Sequence, residues 1–256
     1  MTSGPTLEPV PQGADIPGRP GLAEPVGPGV GTTETRQVRL FDPAHPLVLA
    51  SGATITEVDV AYETYGSLNA AGTNAVFICH ALTGDANAAG LHEGARKPGW
   101  WDNLIGPGRP VDTDHLFVVS ANLLGGCQGT TGPASTNPAT GVSYGLDFPL
   151  LQVTDFVTVH RALLKHLGVR RLVAAVGGSL GGMQVLEWAL TYPDDMAAAV
   201  IIAASSRLTA QNIAFSAVAR EAIKRDPGFN RGRYREAGTN PDLGLSIARM
   251  MAHITY

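Results

Sequence analysis

Leu172-Val173-Ala174-Ala175-Val176-Gly177-Gly178-Ser179-Leu180-Gly181-Gly182-Met183-Gln184 is the stretch from which the rest of the chain can be ordered. Its apolar run reads as a buried strand and its glycines as a turn. An apolar-periodic helix through Val185, Leu186, Trp188 and Ala189 follows until Pro193 stops it. Gly177-Gly178-Ser179-Leu180-Gly181 fits G-x-S-x-G, the nucleophile elbow. Its glycines are required because a strained strand-to-helix turn leaves no room for Cβ atoms beside the serine. Such a turn lifts the Ser179 hydroxyl clear of the sheet and aims the first helical N–H groups at whatever the serine attacks. The competing reading is a Gly-Ser turn without chemistry, in a chain that holds 31 glycines. The strand before the motif and the helix after it favour the elbow.

With 256 residues, 44% of them hydrophobic, the chain can bury one large α/β core, alone or with a small accessory domain. A net charge of -4 gives no reason to expect nucleic acid. Residues 1–31 hold seven of the 18 prolines, seven of the 31 glycines and only four charges, so they cannot offset their ordering entropy. We expect a disordered tail over residues 1–36. It lacks the basic start and apolar centre of a signal peptide, and the longest apolar run, residues 196–204, is too short to span a bilayer. A cytoplasmic protein is expected. Cys79, in an apolar run, and Cys127, in a glycine-rich loop, suit a reducing compartment better than a disulfide framework. Cys127 is a weaker candidate nucleophile, because no histidine is an obvious partner for it.

Residues 37–40, 47–49 and 58–64 read as short strands opening the sheet in antiparallel hairpins. Residues 75–79 form an apolar run suited to a strand covered on both faces. In sheets that carry this elbow, the loop after that strand supplies one oxyanion-hole N–H, which places Leu82 there and Leu180 as the second donor. His80 reads as a hydrogen-bonding member of that loop rather than as a base. Residues 83–113 have loop composition around Trp100-Trp101, a pair that packing alone explains most simply. Residues 116–120 are the next strand, and a glycine-rich loop follows at the sheet edge where open α/β sheets bind ligands. That loop lacks the P-loop lysine and its spacing, which argues against nucleotide hydrolysis. Val153, Phe156, Val157, His160, Leu163, Leu164 and Leu167 hold helical spacing, with His160 near the apolar face. Residues 197–204 are another buried strand, so strands and helices alternate as in a parallel sheet with right-handed crossovers.

From Ser205 the character changes. Phe215, Val218, Ala219 and Ala222 mark an amphipathic helix ended by Asp226-Pro227-Gly228, and Asn240-Pro241 is a suitable cap for a helix running towards Tyr256. The division expected is a tail over residues 1–36, a core over 37–206 and the start of a helical lid over 207–256. Eight of the 18 basic residues lie in residues 205–256 against four acids, suited either to an anionic substrate or to a solvated helix face. In this fold the triad partners follow the serine as Asp or Glu and then His. After Ser179 the only histidine is His253, on a predicted helix rather than in a loop after a final strand. The chain therefore reads as the front part of a longer enzyme, with His253 a weak candidate for the base.

The motifs His80-Ala81-Leu82-Thr83-Gly84-Asp85, Pro98-Gly99-Trp100-Trp101-Asp102, Leu124-Gly125-Gly126-Cys127-Gln128-Gly129, Gly177 to Gln184, Ala210-Gln211-Asn212-Ile213-Ala214-Phe215 and Ala248-Arg249-Met250 with His253-Ile254-Thr255-Tyr256 form a linked set. Together they resemble the homoserine O-acyltransferases of methionine biosynthesis, most of them acetyltransferases, over residues 37–256. The resemblance implies an α/β-hydrolase fold with a mostly parallel sheet and a helical lid. It further implies a cytoplasmic homodimer formed through that lid, no metal or bound cofactor, and acetyl-CoA as co-substrate. By the same resemblance Ser179 is the nucleophile, Leu82 and Leu180 fall at the oxyanion positions, Arg249 helps to hold L-homoserine, and the catalytic Asp and His are expected beyond Tyr256. Rival readings are succinyl transfer or another hydroxyl acylation within the family, an esterase or lipase on the same fold, and a truncated, non-catalytic fragment.

Overall fold

The computed structural model describes residues 29–255. Six strands, β1 (Arg36–Phe41), β2 (Val58–Tyr65), β3 (Ala75–Cys79), β4 (Phe117–Ala121), β5 (Leu172–Gly178) and β6 (Met196–Ile202), form one sheet in the order β6-β5-β3-β4-β2-β1. β1 and β2 pair antiparallel, as do β2 and β4, whereas β4, β3, β5 and β6 are mutually parallel. Two helices, α1 (Val153–His166) and α2 (Leu180–Thr191), carry the crossovers into β5 and β6. Residues 47–49 do not join the sheet. Leu47–Val48 instead pairs with Thr54–Ile55 in a separate two-stranded ladder.

β3 and β4 are buried at every residue, and alternation assigns their side chains to two faces. Ala75, Phe77 and Cys79 join Val157, Leu163, Val185 and Trp188 in the larger core cluster, beneath α1 and α2. Val76 and Ile78 join Ala88, Ala89 and Ile105 in the smaller one. Parallel strands need cover on both sides. Here the second cover is not a helix but the segment of residues 86–111, whose only regular structure is two-residue strands.

Polar anchors hold that segment together with its short ladders. The Tyr65 hydroxyl accepts from the Ala88 and Ala89 N–H groups at 2.9 and 3.1 Å and donates to the buried Glu63 carboxylate at 3.0 Å. Asp102 accepts from the Gly90 N–H at 2.8 Å and pairs with buried Arg109 at 3.0 Å. A Cβ on Gly99 would lie 2.3 Å from the Ala89 nitrogen, so the chain can pass there only as glycine.

Further expectations need correction. The stretch read as a buried strand, β6, is an edge of the described sheet and is exposed at every residue but Met196. Order begins before Arg36: Thr32–Thr33 pairs in parallel with Leu91–His92, and the Thr35 hydroxyl donates to Glu63 at 2.9 Å. The remainder of the expected disordered tail, residues 1–28, lies outside the described residues. A last correction concerns the cap of the final helix. Asp226 ends helix α3 (Ala210–Arg225), and its carboxylate accepts from Gly228 N–H at 2.7 Å and from Gly244 N–H at 2.8 Å, inside helix α4 (Asp242–Thr255). The start of α4 is thus satisfied by a residue distant in sequence rather than by Asn240. These backbone donors hold the Asp226 carboxyl below the usual carboxylate range. α3 and α4 pack on one another, with the 3-10 segment Pro227–Gly232 between them.

Candidate active site

Ser179 stands between the end of β5 and the first residue of α2, at φ 55° and ψ −122°. A positive φ on a residue with a Cβ is disfavoured, and persists only where its surroundings dictate it. Here they do. The Ser179 N–H donates to the Ile202 carbonyl at 3.0 Å, its own carbonyl accepts from Met183 N–H at 3.0 Å, and its side chain makes no capping bond to the helix it starts. The hydroxyl is left free for other work.

The glycines around it are explained individually. A Cβ on Gly177 would lie 2.4 Å from the Gly181 backbone, and one on Gly181 would lie 2.0 Å from the Cys79 carbonyl oxygen. On Gly182 it would meet the Ala204 methyl at 2.6 Å. Gly178, at one of the free positions of G-x-S-x-G, would meet nothing closer than 3.8 Å. The two motif glycines therefore let the helix start press against the end of β3, and the loop that leaves β3 lies beside the serine's turn.

That loop is fixed by His80. Its ring is buried, with Nδ1 2.6 Å from the Ala81 carbonyl and Nε2 accepting from Leu123 N–H at 3.2 Å. This pattern requires the neutral tautomer protonated on Nδ1. Burial lowers the imidazole's affinity for a proton, in the same direction. Both ring nitrogens are engaged, so His80 acts as a hydrogen-bonding member of the loop. The Ala81 carbonyl, which shares a peptide plane with Leu82 N–H, also accepts from Gly84 N–H at 3.0 Å. The Leu82 side chain is 74% exposed, so burial does not hold this residue in place; the bonds to the Ala81 carbonyl do.

Asn122, at the end of β4, binds the loops together: its Oδ1 accepts from Ala86 N–H at 2.9 Å and its Nδ2 donates to the Gln128 carbonyl. Trp100 donates to the Asp85 carbonyl at 3.0 Å and meets Trp101 at 4.8 Å between ring centroids, while Trp101 packs on the smaller core cluster. Cys127 is exposed on the glycine-rich loop and Cys79 is buried in β3.

The structure does not bring every candidate together. Arg249 is exposed on α4, with no hydrogen bond or ion pair to a described residue. His253 is exposed on the same helix. His160 is buried against Phe77 and Trp188, and His92 is bonded to Glu63 at 2.7 Å. None of the seven histidines is hydrogen-bonded to Ser179. Among the described residues, no group of three His, Cys, Asp or Glu side chains converges as a metal cluster, and no helix is long and apolar enough to cross a membrane. Tyr65, Asn122 and Gln184 were given no role by sequence reasoning. Gln184 had one signal, a polar side chain on the buried face of an otherwise apolar helix.

The chain is similar to several known proteins. A homoserine O-succinyltransferase of Nocardioides sp. is 64% identical over 227 residues, which cover 89% of this chain and 62% of that protein. Among solved structures, the homoserine O-acetyltransferase from Bacillus anthracis superposes with a TM-score of 0.81 at 33% identity, covering 87% of this chain and 60% of that one. Esterase E22, as an L374D mutant, superposes with a TM-score of 0.79 at 35% identity, covering 86% and 60%. The chain thus spans about three fifths of the length of the relatives it matches. Residues 74–256 match the α/β hydrolase fold family. With its elbow serine, its mostly parallel sheet and this match, the chain belongs to the α/β hydrolase fold family.

Proposed function

We propose that this chain carries the nucleophile half of a homoserine O-acyltransferase, moving an acyl group from an acyl-CoA to the hydroxyl of L-homoserine. The observation that carries the reading is Ser179 held at positive φ against the loop of Leu82. Ser179 Oγ attacks the thioester carbonyl as its proton passes to a base, and the N–H groups of Leu82 and Leu180 stabilise the tetrahedral oxyanion. The C–S bond then breaks, and the coenzyme leaves as a thiol after taking up that proton. Homoserine's hydroxyl attacks the acyl-serine in the second half-reaction and frees Ser179. The acid and base belong, in this proposal, to the part of the relatives' length that this chain does not span.

Acetyl and succinyl donors stand level, since the relatives carry both names. A thiolate is a good leaving group, so the harder task is keeping water from the acyl-serine. In this proposal the lid and the tryptophan loop do so by enclosing the alcohol at high effective concentration. Arg249 is proposed to grip the homoserine carboxylate, for which the fork of a guanidinium suits better than a point charge. The apolar side chains exposed on α4, Leu243, Leu245, Met250 and Ile254 among them, support pairing of two lids in a homodimer.

The deciding experiment measures thiol release from acetyl-CoA and from succinyl-CoA, with and without L-homoserine, beside Ser179→Ala. Homoserine-dependent release lost in that variant supports the transferase, and the better donor names the acyl group. Release indifferent to homoserine favours an esterase-like hydrolysis. Absence of release here and in a chain extended to the relatives' length sinks the family-based activity.

A further inference from the structure

Between the sheet and its covering helices lies a polar group that the proposed chemistry does not use. Gln184 on α2 is fully buried. Its Nε2 lies 3.2 Å from the His80 carbonyl and 3.2 Å from the Leu180 carbonyl, and its Oε1 lies 2.9 Å from His160 Nε2. The two carbonyls belong to the two segments that offer the proposed oxyanion donors, one beside Ala81-Leu82 and the other on Leu180 itself.

The orientation of the amide is forced. Two carbonyl oxygens can only accept, so the NH2 end must face them and spend one hydrogen on each. The oxygen end then faces His160, which must donate from Nε2. The His160 Nδ1 atom is buried without a partner, and with Nε2 as the donor of a neutral ring it is the unprotonated nitrogen. Burial between Phe77 and Trp188 keeps this ring neutral. His80 and His160 are therefore neutral in opposite tautomers, on Nδ1 and Nε2 respectively.

Apolar side chains in place of both Gln184 and His160 can be nearly neutral for stability, whereas replacing Gln184 alone leaves the buried His160 Nε2–H without its acceptor, so the pair answers to more than packing. We infer that Gln184 is a positioning residue for acyl transfer: its amide straps the His80 and Leu180 carbonyls together and sets the spacing and direction of the two oxyanion N–H groups. The inference rests on the function proposed above. His160 has the subsidiary part of holding the amide so that it cannot turn over.

The test uses the 256-residue chain and nuclear magnetic resonance, so it does not depend on turnover. Imidazole 15N spectra should find His160 protonated on Nε2 and His80 on Nδ1. His160 protonated on Nδ1 would overturn the strap, because the amide would then have no donor at its oxygen. Residual dipolar couplings of the Leu82 and Leu180 N–H vectors give the second readout, with Val176 in β5 as an internal control for the folded sheet. Gln184→Met, which keeps the volume and loses both donors, should abolish or reverse the Leu82 coupling relative to Leu180 while Val176 holds its value. His160→Gln keeps an N–H donor towards Gln184 and should leave both couplings in place. Equal effects in the two variants, or none in either, would overturn the inference. If Gln184→Met fails to fold, the tautomers in the unsubstituted chain still decide. Failure of homoserine-dependent thiol release, with the tautomers and couplings as described, would instead count against the proposed function alone.

Discussion

Replacing Gly181 by alanine tests the close approach that brings the elbow to the loop of Leu82. The added Cβ would sit 2.0 Å from the Cys79 carbonyl oxygen and 2.8 Å from its carbon, where 3.4 Å is the near limit of ordinary contact. Neither neighbour is a flexible side-chain end. β3 is buried throughout and paired on both edges, so the start of α2 must retreat by about 1.4 Å, the difference between those two distances. Overpacking against fixed backbone belongs at the upper end of the usual range, about 3 kcal/mol. For a folded unit of this size, that lowers Tm by about 6–12 °C. The retreat also carries Ser179 and Leu180 away from Leu82, and a displacement of about 1 Å at reacting groups costs on the order of 100-fold in rate. Urea unfolding with an unchanged slope measures the stability loss, and acyl transfer in an active, extended chain measures the rate. Gly178→Ala is the matched control, since its Cβ meets nothing within 3.8 Å, and it should stay within about 1 kcal/mol of the parent. If Gly181→Ala and Gly178→Ala unfold at the same urea concentration, the contact with Cys79 does not constrain the turn.

Three further outcomes follow from the same geometry. Ser179→Gly relieves the positive φ at the elbow and should raise stability by about 1 kcal/mol while abolishing acyl transfer, as thermal melts and thiol release would show; a lower melting temperature would contradict the strain. His160 is held by burial at about 4, below its ordinary 6.5, so the unfolded chain takes up a proton in that window and the folded chain does not. Its contribution to stability is intact above pH 6.5 and falls by about 3 kcal/mol as pH drops to 4, and His160→Gln should flatten that part of the urea-midpoint profile. Tyr65→Phe deletes the acceptor of the Ala89 N–H and one donor to Glu63, and should cost about 1–3 kcal/mol in urea unfolding, with earlier proteolysis of the segment over residues 86–111.

The nucleophile turn was legible because its information is local. A buried strand, two required glycines and an apolar helix are all encoded within about twenty residues, and the helix of Val153–His166 showed itself by its spacing in the same way. The ladder over Leu47–Val48 read correctly as extended but not as separate from the sheet, since no local feature says which strand an edge will meet. His80 could be read as a loop residue, but its tautomer depends on Leu123, which lies 43 positions away. Arg249 illustrates the opposite limit: its part was drawn from resemblance alone, and the described structure leaves it exposed.

By itself the sequence determined the order of strands and helices, the place of the serine on its turn, and the change to paired helices after Ser205, because periodicity and glycine placement act over a few residues. Tertiary structure decided the cover of the second sheet face by residues 86–111, the pairing of Thr32–Thr33 with Leu91–His92, the capping of α4 by Asp226, and the bridge of Gln184 between the two carbonyls. Each of these satisfies a polar group or covers an apolar face with a partner from another part of the chain. Such partners become neighbours only once the topology has closed.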